Sequence, residues 1–215
     1  RQSDREGVGM IVHGRATSSN VQAVMWVVGE LGLDHERRDV GGRFCGNDAP
    51  EFRALSPFGL VPALEDGDVA MFEAPAICRY LLGKYDKGRQ FNTSPWAEAW
   101  GEWCKWTLSR AFVMPIFWGY FRTAEVERDM DRVMADFAAF ETLCATALAA
   151  REGAPWLGGD RLSLGDIWFA HVLYRYFTLD LERQPPEGLI EYYAACRARP
   201  AYRTHVMVPY AELAP

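Results

Sequence analysis

Several features are scarce or missing in this 215-residue chain, and each absence removes a class of protein. No apolar run approaches the ~18–20 residues that cross a bilayer, so a membrane-spanning helix is not expected. There is no dense Lys/Arg run and the formal net charge is -6, the wrong balance for a nucleic-acid binder with a basic face. Cysteine is sparse: Cys45, Cys78, Cys104, Cys144 and Cys196 are odd in number, widely spaced and include no Cys-x-x-Cys pair. That pattern argues against a zinc site or a disulfide framework and fits free thiols in a reducing cytoplasm. Residues 1–9 lack the apolar core of an export signal and read as a loose polar extension or an expression remnant, with the fold expected from Met10. What is present, 49% hydrophobic and 24% charged residues, is the composition of a globular protein. A chain of this length buries about 70% of its unfolded surface, as one large domain or two small ones. The order of its segments favours two.

The first segment is apolar, Met10-Ile11-Val12-His13, and leads into a polar turn from Gly14 to Asn20 that holds Arg15, Thr17, Ser18 and Ser19. Val21, Val24, Met25, Val28 and Leu31 then recur at i, i+3, i+4, i+7 and i+10, which predicts a helix with one apolar face, stopped by Gly32. The order is strand, hydroxyl-rich turn, helix start. The first N–H groups of such a helix have no partner inside it, and its dipole adds partial positive charge, so the turn suits an anion, a thiolate included. The plainer reading is that Ser18, Ser19 or Asn20 only caps the helix.

His35 to Val40 reads as a short polar edge strand, ended by Gly41-Gly42 and parallel to the first strand through a right-handed crossover. Arg43 to Ser56 reads as an irregular loop with one helical turn from Ala49 to Leu55, where Pro50 suits the first position. Asp66-Gly67 between two apolar runs predicts a tight antiparallel hairpin, with Pro62 at the entrance to its first strand. Glu73-Ala74-Pro75 then opens a helix with Ala74, Ile77, Cys78, Leu81, Leu82 and Tyr85 on one face. The order βαβ then ββα describes an α/β thioredoxin-like amino-terminal domain, 10–86.

Three groups of residues in that domain resemble a glutathione S-transferase. They are Gly14-Arg15 with Ser18-Ser19-Asn20-Val21, then Phe58-Gly59-Leu60-Val61-Pro62-Ala63-Leu64, then Glu73-Ala74-Pro75-Ala76-Ile77-Cys78-Arg79-Tyr80-Leu81. Within the family the chain is most similar to the bacterial, theta-like members that use a serine. The resemblance implies that Ser18 stabilises the glutathione thiolate and that Asn20 is a second donor at the thiol. It implies a cis bond at Val61-Pro62, and a Val61 backbone that holds the cysteinyl part of glutathione like an added strand. It places the γ-glutamyl end at Glu73 and Ala74. Here the chain departs from the family, whose usual pair is Glu-Ser: Glu73 still attracts the ammonium, but the hydroxyl for the α-carboxylate is missing. Weaker glutathione binding is the implied result.

The energetics of thiolate formation are sufficient without a general base. A free thiol titrates near pH 8.5, and each unit of lowering needs roughly 1.4 kcal/mol of preference for the thiolate. One hydrogen bond to a charged acceptor contributes about 1.5–3 kcal/mol and a helix terminus about 0.3–1. Together they lower the pKa by about one to three units.

Residues 87–95 are rich in polar and turn-forming side chains and read as a linker. From 96 to 215 the pattern predicts an all-α carboxy-terminal domain. Trp96, Trp100, Trp103 and Met114 share one helix face, expected as core, and Pro115 is expected to kink or end that helix. The resemblance places Met114, Trp118 and Tyr120 where the second domain faces the thiol, as lining for a hydrophobic electrophile. A helix from about Ala124 to Ala150 follows, its apolar side marked by Val126, Met130, Val133, Phe137, Phe140 and Leu148. Ser163 and Asp166 form a capping box with a staple between Leu162 and Ile167, a family signature whose role is structural. His171 has no metal-type residue at i+4 and reads as a satisfied core histidine. Leu189 to Arg199 reads as a last helix ended near Pro200, with the tail to Pro215 packing back along the body.

The resemblance spans nearly the whole chain from Met10. It implies a cytosolic, homodimeric glutathione transferase whose thiolate attacks small hydrophobic electrophiles, with glutathione as co-substrate and no metal. No nucleic-acid or membrane partner is expected. Two other readings stay open: a non-catalytic interaction module that kept the fold, favoured by Ala74, and a glutathione-dependent disulfide reductase or dehalogenase that Cys45 could join. A buried or incidental Cys45 is the plainer reading of that thiol.

Overall fold

A computed structural model describes residues 9–215; the polar extension read at 1–9 lies, but for Gly9, outside the described residues. The chain divides into two compact units between Asp86 and Lys87.

In the first unit, β1 (Met10–His13) leads to α1 (Ser19–Glu30), β2 (His35–Arg38), a 3₁₀ turn at Gly42–Phe44, and α2 (Pro50–Leu55). Then come the hairpin β3 (Ala63–Asp66) and β4 (Val69–Phe72), and finally α3 (Ala74–Tyr85). The sheet order is β2-β1-β3-β4, with β1 parallel to β2 and antiparallel to β3. The expected crossover and the expected Asp-Gly hairpin are both present, Asp66 pairing with Val69 across the turn. Polar β2 occupies a sheet edge as expected. Helix α1 exceeds the one-faced expectation: Val21 through Val28 are all buried, including Gln22, as in a helix enclosed on every side. At its end the Leu33 N–H bonds the Val28 carbonyl and the Gly32 N–H bonds that of Gly29, with Gly32 at φ +63°. This left-handed stop is what the glycine foretells.

The second unit begins with residues read as a linker, and these are tied into it. Phe91 bridges Leu162, Asn92 Nδ2 donates to the Gly158 carbonyl at 2.7 Å, and Ser94 caps the next helix by accepting from the Ala97 N–H. That helix, α4 (Pro95–Trp103), buries Ala97 and Gly101, whereas Trp96 is 67% exposed and Trp100 and Trp103 are half-buried. The expected tryptophan core is therefore corrected. The small residues form the packed side because they let helices approach closely: a Cβ on Gly101 would stand 3.3 Å from the Leu164 Cβ.

The helical path continues through π-helical turns at Cys104–Ser109, one α turn, α5 (Arg110–Phe112), and a second π-helical stretch at Val113–Phe121. Pro115 therefore does not end it. Proline lacks an N–H and its ring collides with the i−4 carbonyl of a regular α-helix, a conflict that wider winding relieves. The Arg122 N–H closes this stretch on the Phe117 carbonyl, five residues back.

Helix α6 (Met130–Ala149) starts later than the periodicity predicts. Asp129 caps it by accepting from the Arg132 N–H at 3.0 Å, and Val126, counted on its apolar side, is 95% exposed in a 3₁₀ turn. The remaining helices are α7 (Leu164–Ala170), α8 (Leu173–Thr178), α9 (Leu189–Ala198) and α10 (Pro200–His205); Pro200 ends one helix and opens the next. The tail packs back as expected, the Tyr210 ring lying 4.8 Å from that of Phe121 and 5.3 Å from that of Phe117. Among the described residues no helix is long and apolar enough to cross a membrane.

The capping box is formed. Asp166, fully buried, accepts from the Ser163 N–H and hydroxyl at 2.8 Å each, from the Leu157 N–H at 2.7 Å and from the Tyr192 hydroxyl at 2.8 Å. Its partners on three chain segments give it the structural role expected. His171 is likewise satisfied. The Trp168 carbonyl can only accept, so Nδ1 carries the proton that reaches it at 3.0 Å, and Nε2 accepts from the Ser109 hydroxyl at 3.2 Å.

Candidate active site

The site is built at the carboxyl end of β1. Gly14 continues the β1–β2 pairing through its N–H to the Arg38 carbonyl, and its own carbonyl accepts from Arg37 Nη1, both at 2.8 Å. Its φ is +147°, and an added Cβ would stand 2.4 Å from Val21 Cγ2 and 3.1 Å from Val61 Cβ. Only glycine fits. The close approach brings the turn before α1 against the loop before β3.

Ser18 is the N-cap residue of α1 by position, with extended backbone angles, and its side chain makes no capping bond. The plainer reading of Ser18 as a cap is thereby answered for this residue: its hydroxyl, nearly buried, is engaged by no described residue. Glu73 at the head of α3 also makes no capping bond, and it holds φ +71°, unusual for a residue with a Cβ. The N-termini of α1 and α3 thus carry no side-chain cap, each a place of partial positive charge.

A small cleft of about 50 Å³ is lined by Asn20, Val61, Pro62, Glu73 and Ala74 together with Ser56, Phe58, Leu60 and Phe72. Five of the six residues named from the sequence in this domain meet there; Ser18 lies two positions from Asn20 at the start of the same helix. The Val61–Pro62 peptide is cis. No described residue bonds the N–H or C=O of Val61, so both remain available to an extended peptide. Ala74, the first residue of α3, is buried and lines the cleft with a methyl.

Ser56 was missed by sequence reading. It is buried, and its hydroxyl donates to the Leu60 carbonyl and accepts from the Leu60 N–H. The signal was present: Ser-Pro followed by glycine marks a side-chain-closed turn. In the second unit, Met114 and Trp118 are 47% and 42% exposed on their helix, and the Arg122 guanidinium stands 4.8 Å from the Trp118 ring centre. Tyr120 differs from them, since its hydroxyl donates to the Asp180 carbonyl at 2.8 Å.

Residues 17–82 match the family model described as glutathione S-transferase, N-terminal domain, and residues 104–200 match glutathione S-transferase, C-terminal domain. The chain belongs to the glutathione S-transferase family. It is 36% identical over 202 residues to glutathione S-transferase GstB of Escherichia coli (strain K12), covering 91% of this chain and 97% of that one. It is also similar to a theta class glutathione S-transferase from Xanthomonas axonopodis pv. citri, solved with glutathione bound. The TM-score is 0.86 at 37% identity, over 94% of this chain and 99% of that one. Glutathione S-transferase 3 of Zea mays is 45% identical over 74 residues, 34% of this chain and 33% of that one. The family's thioredoxin-like first domain and helical second domain are both present.

Proposed function

We propose that this transferase conjugates glutathione to small hydrophobic electrophiles, with Ser18 as the residue that stabilises the thiolate. The observation that carries the reading is the meeting of Asn20, Val61, Glu73 and Ala74 on one cleft, beside a Ser18 hydroxyl that no capping bond engages. Val61 offers its backbone to the cysteinyl unit, Glu73 attracts the γ-glutamyl ammonium, and the N-terminus of α3 attracts the neighbouring carboxylate. Ser18 donates to the sulfur, with Asn20 as second donor. The thiol proton passes to solvent, the sulfur lone pair forms the new S–C bond, and a halide leaves with the electrons of the bond it breaks; with an activated alkene the C=C π bond breaks instead and the carbanion so formed takes a proton from solvent. Met114 and Trp118 are the residues of the second unit offered to the electrophile's apolar body. The Tyr120 hydroxyl is already engaged by Asp180, so that side chain contributes through its ring.

A cytoplasmic homodimer belongs to the same reading; light scattering behind size exclusion reads the oligomeric state, and a mass of one chain overturns the dimer. The activity is tested by calorimetric titration with reduced glutathione and by turnover of an activated aryl halide, each beside Ser18→Ala. Binding by both proteins with turnover lost in the variant is expected. Equal turnover by parent and variant would remove Ser18 from the chemistry.

A further inference from the structure

Helix α2 lies over the face of the sheet that carries His13, Arg38 and Glu65. His13 pairs with Arg38 and with Ala63 in the strand register, and Glu65, two residues beyond Ala63, points to the same face. The Phe52 ring of α2 stands 6.2 Å from the His13 ring. Between helix and sheet is a cavity of about 530 Å³ that shares no lining residue with the cleft at Asn20 and Ala74. Its size is that of a small-molecule site, typically ~300–1,000 Å³.

Its charges do not cancel. The Arg38 guanidinium is engaged by the Glu36 carboxylate through two bonds, 2.8 and 2.9 Å, and His13 Nε2 meets Glu65 Oε1 at 2.7 Å. Glu65 keeps a second oxygen that no described residue bonds, and Glu51, in the first turn of α2, lines the cavity without forming an ion pair to a described residue. Phe52, Leu55 and Val40 supply an apolar wall. An anion would meet two carboxylates there beside an Arg38 already held by Glu36, and a neutral apolar molecule would leave Glu51 and the second oxygen of Glu65 without a donor.

We propose that this cavity is a second binding site, separate from the glutathione cleft, for a small organic ammonium ion with an aromatic or branched apolar body. The ammonium bonds Glu65 and Glu51, and the body lies against Phe52 and Leu55. The test is a titration of the ¹⁵N-labelled full chain, followed by amide resonances, with benzylamine, benzyl alcohol and benzoate, which share one ring and differ in charge. Saturable shifts centred on His13, Phe52 and Glu65 are expected with benzylamine, with binding of benzyl alcohol tenfold or more weaker, since a charge-assisted bond is lost. Glu51→Gln, at the solvent-exposed rim of the cavity, should keep the fold and weaken benzylamine binding several-fold. Absence of saturable shifts, equal binding of the three probes, or shifts confined to Asn20, Glu73 and Ala74 would each overturn the proposal.

Discussion

Ser56 Oγ donates to the Leu60 carbonyl at 2.8 Å and accepts from the Leu60 N–H at 3.2 Å, closing a short loop one residue before Val61. The buried hydroxyl therefore fixes the approach of the residue whose backbone faces the cleft. Ser56→Ala is expected to lower stability by about 1–2 kcal/mol and to raise the glutathione dissociation constant several-fold with little change in kcat. Denaturant titration and calorimetry check this; unchanged values in both would show that the loop holds its shape without the serine.

Ser18→Ala should separate chemistry from stability. Removing a working N-cap hydroxyl usually costs about 0.5–2 kcal/mol, but this one makes no capping bond, so a loss below about 0.5 kcal/mol is expected. Loss of one bond to a thiolate, about 1.5–3 kcal/mol, predicts kcat/KM reduced by roughly ten- to a hundredfold. It also predicts a bound thiol whose pKa, read by thiolate absorbance, rises by one unit or more. A large stability loss with an unchanged thiol pKa would return Ser18 to the role of cap.

Ala74→Ser adds a hydroxyl at the first position of α3, where the cleft wall is a methyl. Glutathione is expected to bind about tenfold more tightly, the gain of one hydrogen bond to a carboxylate. An unchanged dissociation constant would place the γ-glutamyl carboxylate elsewhere.

His171 predicts acid sensitivity. Burial first, and then the charges of Lys105 and Arg175, hold its pKa down to about 3. In the unfolded chain the ring takes a proton near pH 6.5, so the unfolded state binds more protons between these values. Stability is complete above pH 6.5 and falls by up to about 1.4 kcal/mol per unit as pH drops toward 3. The His171 ring should show no titration in NMR spectra down to pH 4.5, and His171→Gln should flatten the stability slope by one proton. A normal titration curve for this ring would contradict its buried neutral state.

Of the five thiols, Cys45 is exposed and Cys78, Cys104, Cys144 and Cys196 are buried. A disulfide reagent should modify one equivalent rapidly in the native protein and five after denaturation. Cys45→Ser should abolish the fast phase and leave turnover unchanged; lost turnover would bring Cys45 into the chemistry.

The first unit was legible because its signals are local. Asp66-Gly67 fixes the hairpin, Gly32 the end of α1, and Pro50 the start of α2, each through backbone geometry that few residues adopt. The second unit was harder to read because periodicity tells which residues share a face and not which face is packed. Trp96, Trp100 and Trp103 outweigh Ala97 and Gly101 in hydrophobicity, but close approach to Leu164 needs small side chains, and tertiary packing won. Val126 extended the pattern of α6 past the cap that Asp129 supplies. Among the candidate residues, Asn20, Val61, Glu73 and Ala74 came from ordered motifs and meet on one cleft, whereas Ser56 was marked only by a local turn signal that did not tie it to that cleft.

The wide winding from Cys104 to Phe121 has a consequence for how this wall of the second unit can vary. A turn closed five residues back holds one residue more than an α turn. Deleting one residue lets that turn close as an α turn through the same angle, so the helix beyond keeps its face while the residues inside the turn change theirs. A change of length here is therefore absorbed inside the stretch, exchanging Met114 and Trp118 for their neighbours on its exposed face while the helix beyond stays in register. Lineages or engineered libraries that vary length in this segment would change which side chains it exposes without displacing the helices that follow.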